Sequence, residues 1–181
     1  MSNRPVPQPS VARLTPFQGH PIVVGIVPGQ PALVAVTAAS WAKALGVTAY
    51  FAYVDPTRIT ELELPDGTVQ HSDLNPDVSD DDRWPAHQAE LEASLAATLE
   101  GSGVEWQFRY LAGRADRALT HLARAVDACA IVVGTRAPGP GARMHEFLDG
   151  SVAFRLSHHQ HRPVLVVPLS VVDWKSPSPW R

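Results

Sequence analysis

The sequence predicts an α/β fold: an open parallel five-stranded sheet, strand order 3-2-1-4-5, with helices on both faces. Three observations carry this reading. Short apolar runs rich in β-branched residues, Ile22 to Val27, Ala130 to Val133 and Val164 to Val167, are continuous rather than alternating, as in strands covered on both faces. Stretches with helical spacing lie between the strands, each offering one apolar stripe for packing on a sheet. Strand and helix then alternate through five strands and four helices, which implies right-handed parallel crossovers.

The elements follow in order. The first strand is Ile22 to Val27, broken by Pro28, Gly29, Gln30 and Pro31. Val34, Ala38, Trp41 and Leu45 then recur on one helical face. A second strand is expected over Val47 to Val54. Leu91, Leu95 and Leu99 mark the second helix, Val104 to Leu111 the third strand, and Ala118, Leu119, Leu122 and Val126 the third helix. After the fourth strand a helix should begin near Gly150 and run to about His159, with Val152 and Leu156 inward, before the fifth strand at Val164 to Val167.

Residues 55–84 break the rhythm, being acidic and turn-rich, with Asn75-Pro76 and the run Asp80, Asp81, Asp82. The alternation from Ile59 to Leu64 and the turn at Asp66-Gly67 suit a small hairpin. The excursion reads either as a solvated loop or as a regulatory or partner surface. Residues 1–20, rich in Pro, Ser and Gln, lack the apolar run of a secretory leader and read as a disordered arm. The domain spans 21–168. In the tail, 169–181, Pro177 and Pro179 preclude regular structure, though Trp174 and Trp180 suit docking on the body.

Composition narrows the function classes. With 181 residues and 45% hydrophobic content, the chain fills one core. The net charge of -3 is unevenly spread: residues 1–100 carry 5 basic and 12 acidic side chains, residues 101–181 carry 10 and 6. Anionic ligands should prefer the C-terminal half. The absence of a dense Lys/Arg cluster argues against nucleic acid. No Asp, Glu, Lys or Arg occurs between Arg13 and Lys43, but the Pro28–Pro31 interruption argues against a membrane span of about 20 apolar residues. Cys129 stands alone, which excludes an internal disulfide and fits a cytoplasmic location.

In an open parallel sheet, ligands bind beyond the carboxyl ends of the strands where the strand order reverses, here between the first and fourth strands. The loop after the fourth strand carries Gly134, Arg136, Gly139, Gly141 and Arg143 and ends at Gly150, Ser151, Val152. Its glycines permit close approach of backbone N–H groups to a phosphate, and the helix start adds its positive end. Ser151 adds a hydroxyl; Arg136 and Arg143 add charge.

These residues resemble the C-terminal half of universal stress proteins. The turn at Gly113 through Leu119, the fourth strand with its glycine loop, the Gly150-Ser151-Val152 helix start and Pro163 to Pro168 fall in that family's order. Ile22 to Leu45 and Tyr53-Val54-Asp55 also fit. The resemblance covers roughly 20–55 and 85–168. It implies a Rossmann-like sheet of the adenine nucleotide alpha hydrolase type, and a stress-response protein rather than an enzyme. ATP or AMP would be the ligand, with Gly134, Gly139, Gly141, Gly150, Ser151 and Val152 holding phosphate and ribose and Val27 and Val54 walling the base. It also implies a homodimer paired through Val164 to Val167.

The sequence departs from the family's nucleotide-binding pattern, G-x-x-G, nine residues, then G-[ST]. Ala137 stands at the second glycine, and twelve residues separate it from Gly150. Where nucleotide-binding members keep an Asp after the first strand, this chain has Val27, Pro28 and Gly29; Asp55, at the end of the neighbouring strand, is the nearest substitute. An interaction module of the same fold that binds no nucleotide is therefore the second reading. A nucleotidyl transferase or flavoprotein subunit ranks below both, since no nucleophile, base and orienting acid stand at recognisable spacing and no Gly-Lys-Ser/Thr occurs.

Other features read structurally. Gly150-Ser151 doubles as a helix N-cap pair. His158, His159 and His161 sit where a helix dipole favours cations, so no metal site is expected. Cys129 reads as an inert core thiol.

Overall fold

Continuous apolar runs form central strands, and the periodic stripes between them form helices. The computed structural model describes residues 10–74, 83–135 and 151–169. Along the chain come β1 (Ile22–Ile26), α1 (Leu33–Leu45), β2 (Ala49–Asp55), β3 (Arg58–Glu63), β4 (Val69–Asp73) and α2 (Arg83–Leu99). They are followed by β5 (Trp106–Ala112), α3 (Ala115–Ala125), β6 (Ala130–Gly134), α4 (Val152–His159) and β7 (Val164–Val167).

Five strands form one parallel sheet in the order β5-β2-β1-β6-β7, which is 3-2-1-4-5 once the separate β3-β4 pair is set aside. Strand limits shift by a residue or two from expectation. Val47 follows Gly46, the C-cap of α1, and its N–H bonds the Ala42 carbonyl, so β2 starts at Ala49. β1 stops at Ile26 because the chain turns at Val27.

Side chains alternate between two cores, as the pleat requires. Val24, Phe51, Tyr53, Phe108 and Val132 pack with Val34 and Ala38 of α1 and Leu95 and Leu99 of α2. Val23, Ala52, Leu111 and Ile131 pack with Leu119 and Leu122 of α3 and Leu156 of α4. Cys129 is fully buried, donates to the His20 carbonyl at 3.3 Å, and has its thiol pushed up by burial. Residues 10–20 include a 3-10 turn at Val11–Arg13, and the Phe17 ring lies 6.3 Å from that of Trp41.

Within the excursion after β2, residues 58–73 form an antiparallel hairpin. Its turn follows from Pro65-Asp66-Gly67: the Gly67 N–H returns to the Leu64 carbonyl at 3.0 Å, and Asp66 accepts both the N–H and the hydroxyl of Thr68. Gly67 sits at φ +84, and a Cβ there would collide with Leu122 Cδ1 of α3. At the other end, the Arg58 guanidinium bonds His71 at 2.7 Å and Asp73 at 2.8 Å and lies over the Trp84 ring of α2. Thr60 donates to the Ala112 carbonyl of β5 at 3.1 Å. The hairpin thus reaches from the α2 face to the α3 face across β5, covering that outer strand. Asn75, Pro76, Asp80, Asp81, Asp82 and the tail with Trp174 and Trp180 lie outside the described residues.

Candidate functional site

The reversal of strand order falls between β1 and β6, so their carboxyl ends open the crevice where a ligand would sit. Val27, one residue beyond the Ile26–Tyr53 pair, is 60% exposed there. Val54, its neighbour on β2, is half-buried and packs into the core beneath α3. The two residues expected to wall a base are therefore adjacent.

Val27, Pro28, Gly29 and Gln30 make a tight turn, with Gly29 at φ +68 and the Gln30 N–H bonding the Val27 carbonyl at 3.2 Å. The turn folds Gln30 back over the strand end. Its Oε1 accepts the Val27 N–H at 3.0 Å. Its Nε2 lies 2.5 Å from where a Cβ on Gly134 would stand, with Val34 Cγ2 at 2.9 Å and Leu169 Cδ1 at 3.0 Å. Glycine at 134 thus admits close packing by side chains of this chain. The next amide is also engaged: Thr135 N–H donates to the Val167 carbonyl at 2.8 Å, and Thr135 Oγ1 accepts from Leu169 N–H at 2.8 Å.

Ser151 is the N-cap of α4, its hydroxyl oxygen accepting the Phe154 N–H at 3.1 Å. Val152 opens the helix and packs against the α3-side core. Arg136, Gly139, Gly141, Arg143 and Gly150 lie outside the described residues.

Asp55 does not replace the carboxylate missing from the end of β1. It is only 8% exposed and faces β5, where it accepts from the Thr57 amide at 2.8 Å, the Thr57 hydroxyl at 2.6 Å and the Tyr110 hydroxyl at 2.5 Å. Burial pushes its carboxyl up, but the bonds from Thr57 and Tyr110 and the Arg58 charge outweigh this and hold it below the ordinary carboxylate range. Burial and the same carboxylate push the Tyr110 hydroxyl up. Tyr53, His71, Trp84 and His87 pack edge-on or tilted around this group. It locks hairpin, sheet and α2 together.

At the start of α3 the Arg114 guanidinium grips Asp116 at 2.7 Å and 3.2 Å, and the carboxyl is held low by that pairing against the upward push of burial. At the end of α4, His158 Nδ1 lies 2.9 Å from the Phe154 carbonyl. Among the described residues, no three His, Cys, Asp or Glu side chains are grouped to hold a metal, and no helix is long and apolar enough to cross a membrane.

Sequence reasoning overlooked Gln30. The signal lay in Pro28-Gly29, which predicts a turn that returns the following residue to the strand end.

The universal stress protein family model matches residues 19–168. No match is found among curated protein sequences. Among solved structures, a universal stress protein from Archaeoglobus fulgidus is 22% identical with a TM-score of 0.59, covering 82% of this chain and 98% of its own. The universal stress protein from the same organism in complex with dAMP is 22% identical, TM-score 0.55, covering 82% and 97%. A universal stress protein in complex with cAMP is 19% identical, TM-score 0.57, covering 83% and 98%.

Proposed function

The chain belongs to the universal stress protein family, and from that premise we propose that it acts in the cytoplasm as a stress-response homodimer that binds ATP or AMP at the carboxyl ends of β1 and β6. The observation that carries the ligand reading is the switch point itself. Val27 and Gly134 stand at the carboxyl ends of the two strands between which the order reverses, and Ser151 caps the helix that follows β6 in the chain. Solved structures of the same fold are described in complex with dAMP and with cAMP. Gly139, Gly141, Gly150, Arg136 and Arg143 would complete the phosphate side, in the more basic half of the chain. The proposal is of a ligand-binding protein rather than an enzyme.

Dimer formation through β7 is the second part of the proposal. The β3-β4 hairpin covers β5, and no described strand pairs with the outer side of β7, where Leu165 and Val166 are 38% and 40% exposed.

One observation favours the alternative, an interaction module without nucleotide: Gln30 occupies the strand end and its oxygen takes the Val27 N–H. Two measurements separate the readings. Denatured protein is assayed for released nucleotide, and full-length protein is titrated with labelled ATP. Release, or saturable binding up to millimolar ATP, supports the nucleotide reading; neither would leave the interaction module.

A further inference from the structure

Gln30 holds an unusual position for a residue in a surface turn. Its carboxamide spans the crevice from β1 to β6: the oxygen takes the amide at the end of one strand, and the nitrogen lies over the backbone of the other. That amide is a backbone donor at the end of β1, and Gly134 lacks the Cβ that would keep a neighbour away from the end of β6. Both are taken by one side chain. Val34 Cγ2 and Leu169 Cδ1 lie within 3.0 Å of the same point beside Gly134 where a Cβ would stand. A glutamine on a turn has three rotatable side-chain bonds, and among the described residues this one is held by one neutral hydrogen bond, to the Val27 N–H.

We propose that Gln30 is a displaceable gate, a resident self-ligand that occupies the nucleotide's place at the β1–β6 switch point and must swing out for nucleotide to enter. The proposal rests on the nucleotide reading above. An entering nucleotide supplies its own acceptor to the Val27 N–H in place of Oε1, and the released carboxamide exchanges its bond for one with water. The exchange weakens apparent affinity by roughly the worth of one neutral hydrogen bond, about two- to tenfold. It also makes the site selective, because a guest without an acceptor at that point leaves the amide unpaired and gains nothing by displacing the gate.

The test titrates full-length wild type and Gln30→Ala with labelled ATP, with melting curves showing that both are folded. A second variant, Gln30→Glu, keeps the length and the acceptor but adds a negative charge. The gate predicts that Gln30→Ala binds roughly two- to tenfold more tightly than wild type, and that Gln30→Glu binds more weakly than wild type. Binding by Gln30→Ala alone, with none by wild type, supports it equally. Equal or weaker binding by Gln30→Ala, with wild type saturating, overturns the gate and leaves the nucleotide reading standing. No binding by any of the three at millimolar ATP removes the nucleotide reading, and the gate with it.

Discussion

The Tyr110 hydroxyl donates to Asp55 Oδ2 at 2.5 Å, joining β5 to the end of β2 at the point where the chain leaves the sheet for the hairpin. The carboxylate is nearly buried, and its remaining bonds come from Thr57, the first residue able to cap it as the chain turns. This pair decides how the β3-β4 excursion is anchored.

Replacing Tyr110 with Phe should cost about 1.5–3 kcal/mol at pH 7, the worth of one hydrogen bond to a charged acceptor. Asp55 is held below its ordinary value near 3.8, so its contribution is full above that value and is lost as pH falls through the lower folded value. The deficit of Tyr110→Phe should therefore shrink as pH drops below about 4. Urea unfolding of both proteins at pH 7 and pH 3 measures it; a deficit equal at both would show that Asp55 is not the partner that matters.

Gly67→Ala places a Cβ at positive φ against Leu122, and the expected loss is about 1–3 kcal/mol. The damage should concentrate in the hairpin. Amide exchange should quicken across β3 and β4 while β1 and β6 keep their protection.

Register on β7 makes a selective test of the dimer possible. Ile131 N–H bonds the Pro163 carbonyl and Thr135 N–H bonds that of Val167, so odd-numbered residues face β6 and the N–H groups of Val164 and Val166 point outward. Val166→Pro removes one outward donor and leaves the β6 ladder intact. Size exclusion with light scattering should show a dimer for wild type and a monomer for this variant. A wild-type monomer would remove the dimer.

Gly134→Val should be harmful for a reason unrelated to ligand. Its added atoms meet Gln30, Val34 and Leu169, and overpacking of this kind costs about 1–3 kcal/mol. Thermal melts of Gly134→Val in wild-type and Gln30→Ala backgrounds should differ, with the loss partly relieved when Gln30 is shortened. Equal losses would mean that Gln30 does not fill that space.

The sheet was legible because its signals are local and redundant. Ile22 to Ile26 and Ala130 to Gly134 are continuous apolar runs, and α3 shows Ala118, Leu119 and Leu122 on one face. The hairpin was half legible: Pro65-Asp66-Gly67 announced the turn, while its packing across β5 depends on Arg58, Thr60 and Gly67 meeting residues 26 to 55 positions away along the chain. The site was least legible. Asp55, offered by topology as a substitute for a missing carboxylate, is committed to Tyr110 and Thr57, and only coordinates tell a bonded carboxylate from an available one. Gly134 suggested ligand approach, yet its missing Cβ makes room for Gln30. A glycine reports that something comes close without saying what.

The most direct measurement is an amide map of uniformly 15N-labelled full-length protein during addition of ATP to millimolar concentration. Shifts are expected at Val27, Gln30, Gly134, Thr135, Ser151 and Val152, with the Gln30 side-chain amide pair moving in step and β3 and β4 unchanged. An unmoved Val27 and Gln30, or shifts confined to the hairpin, would contradict this expectation.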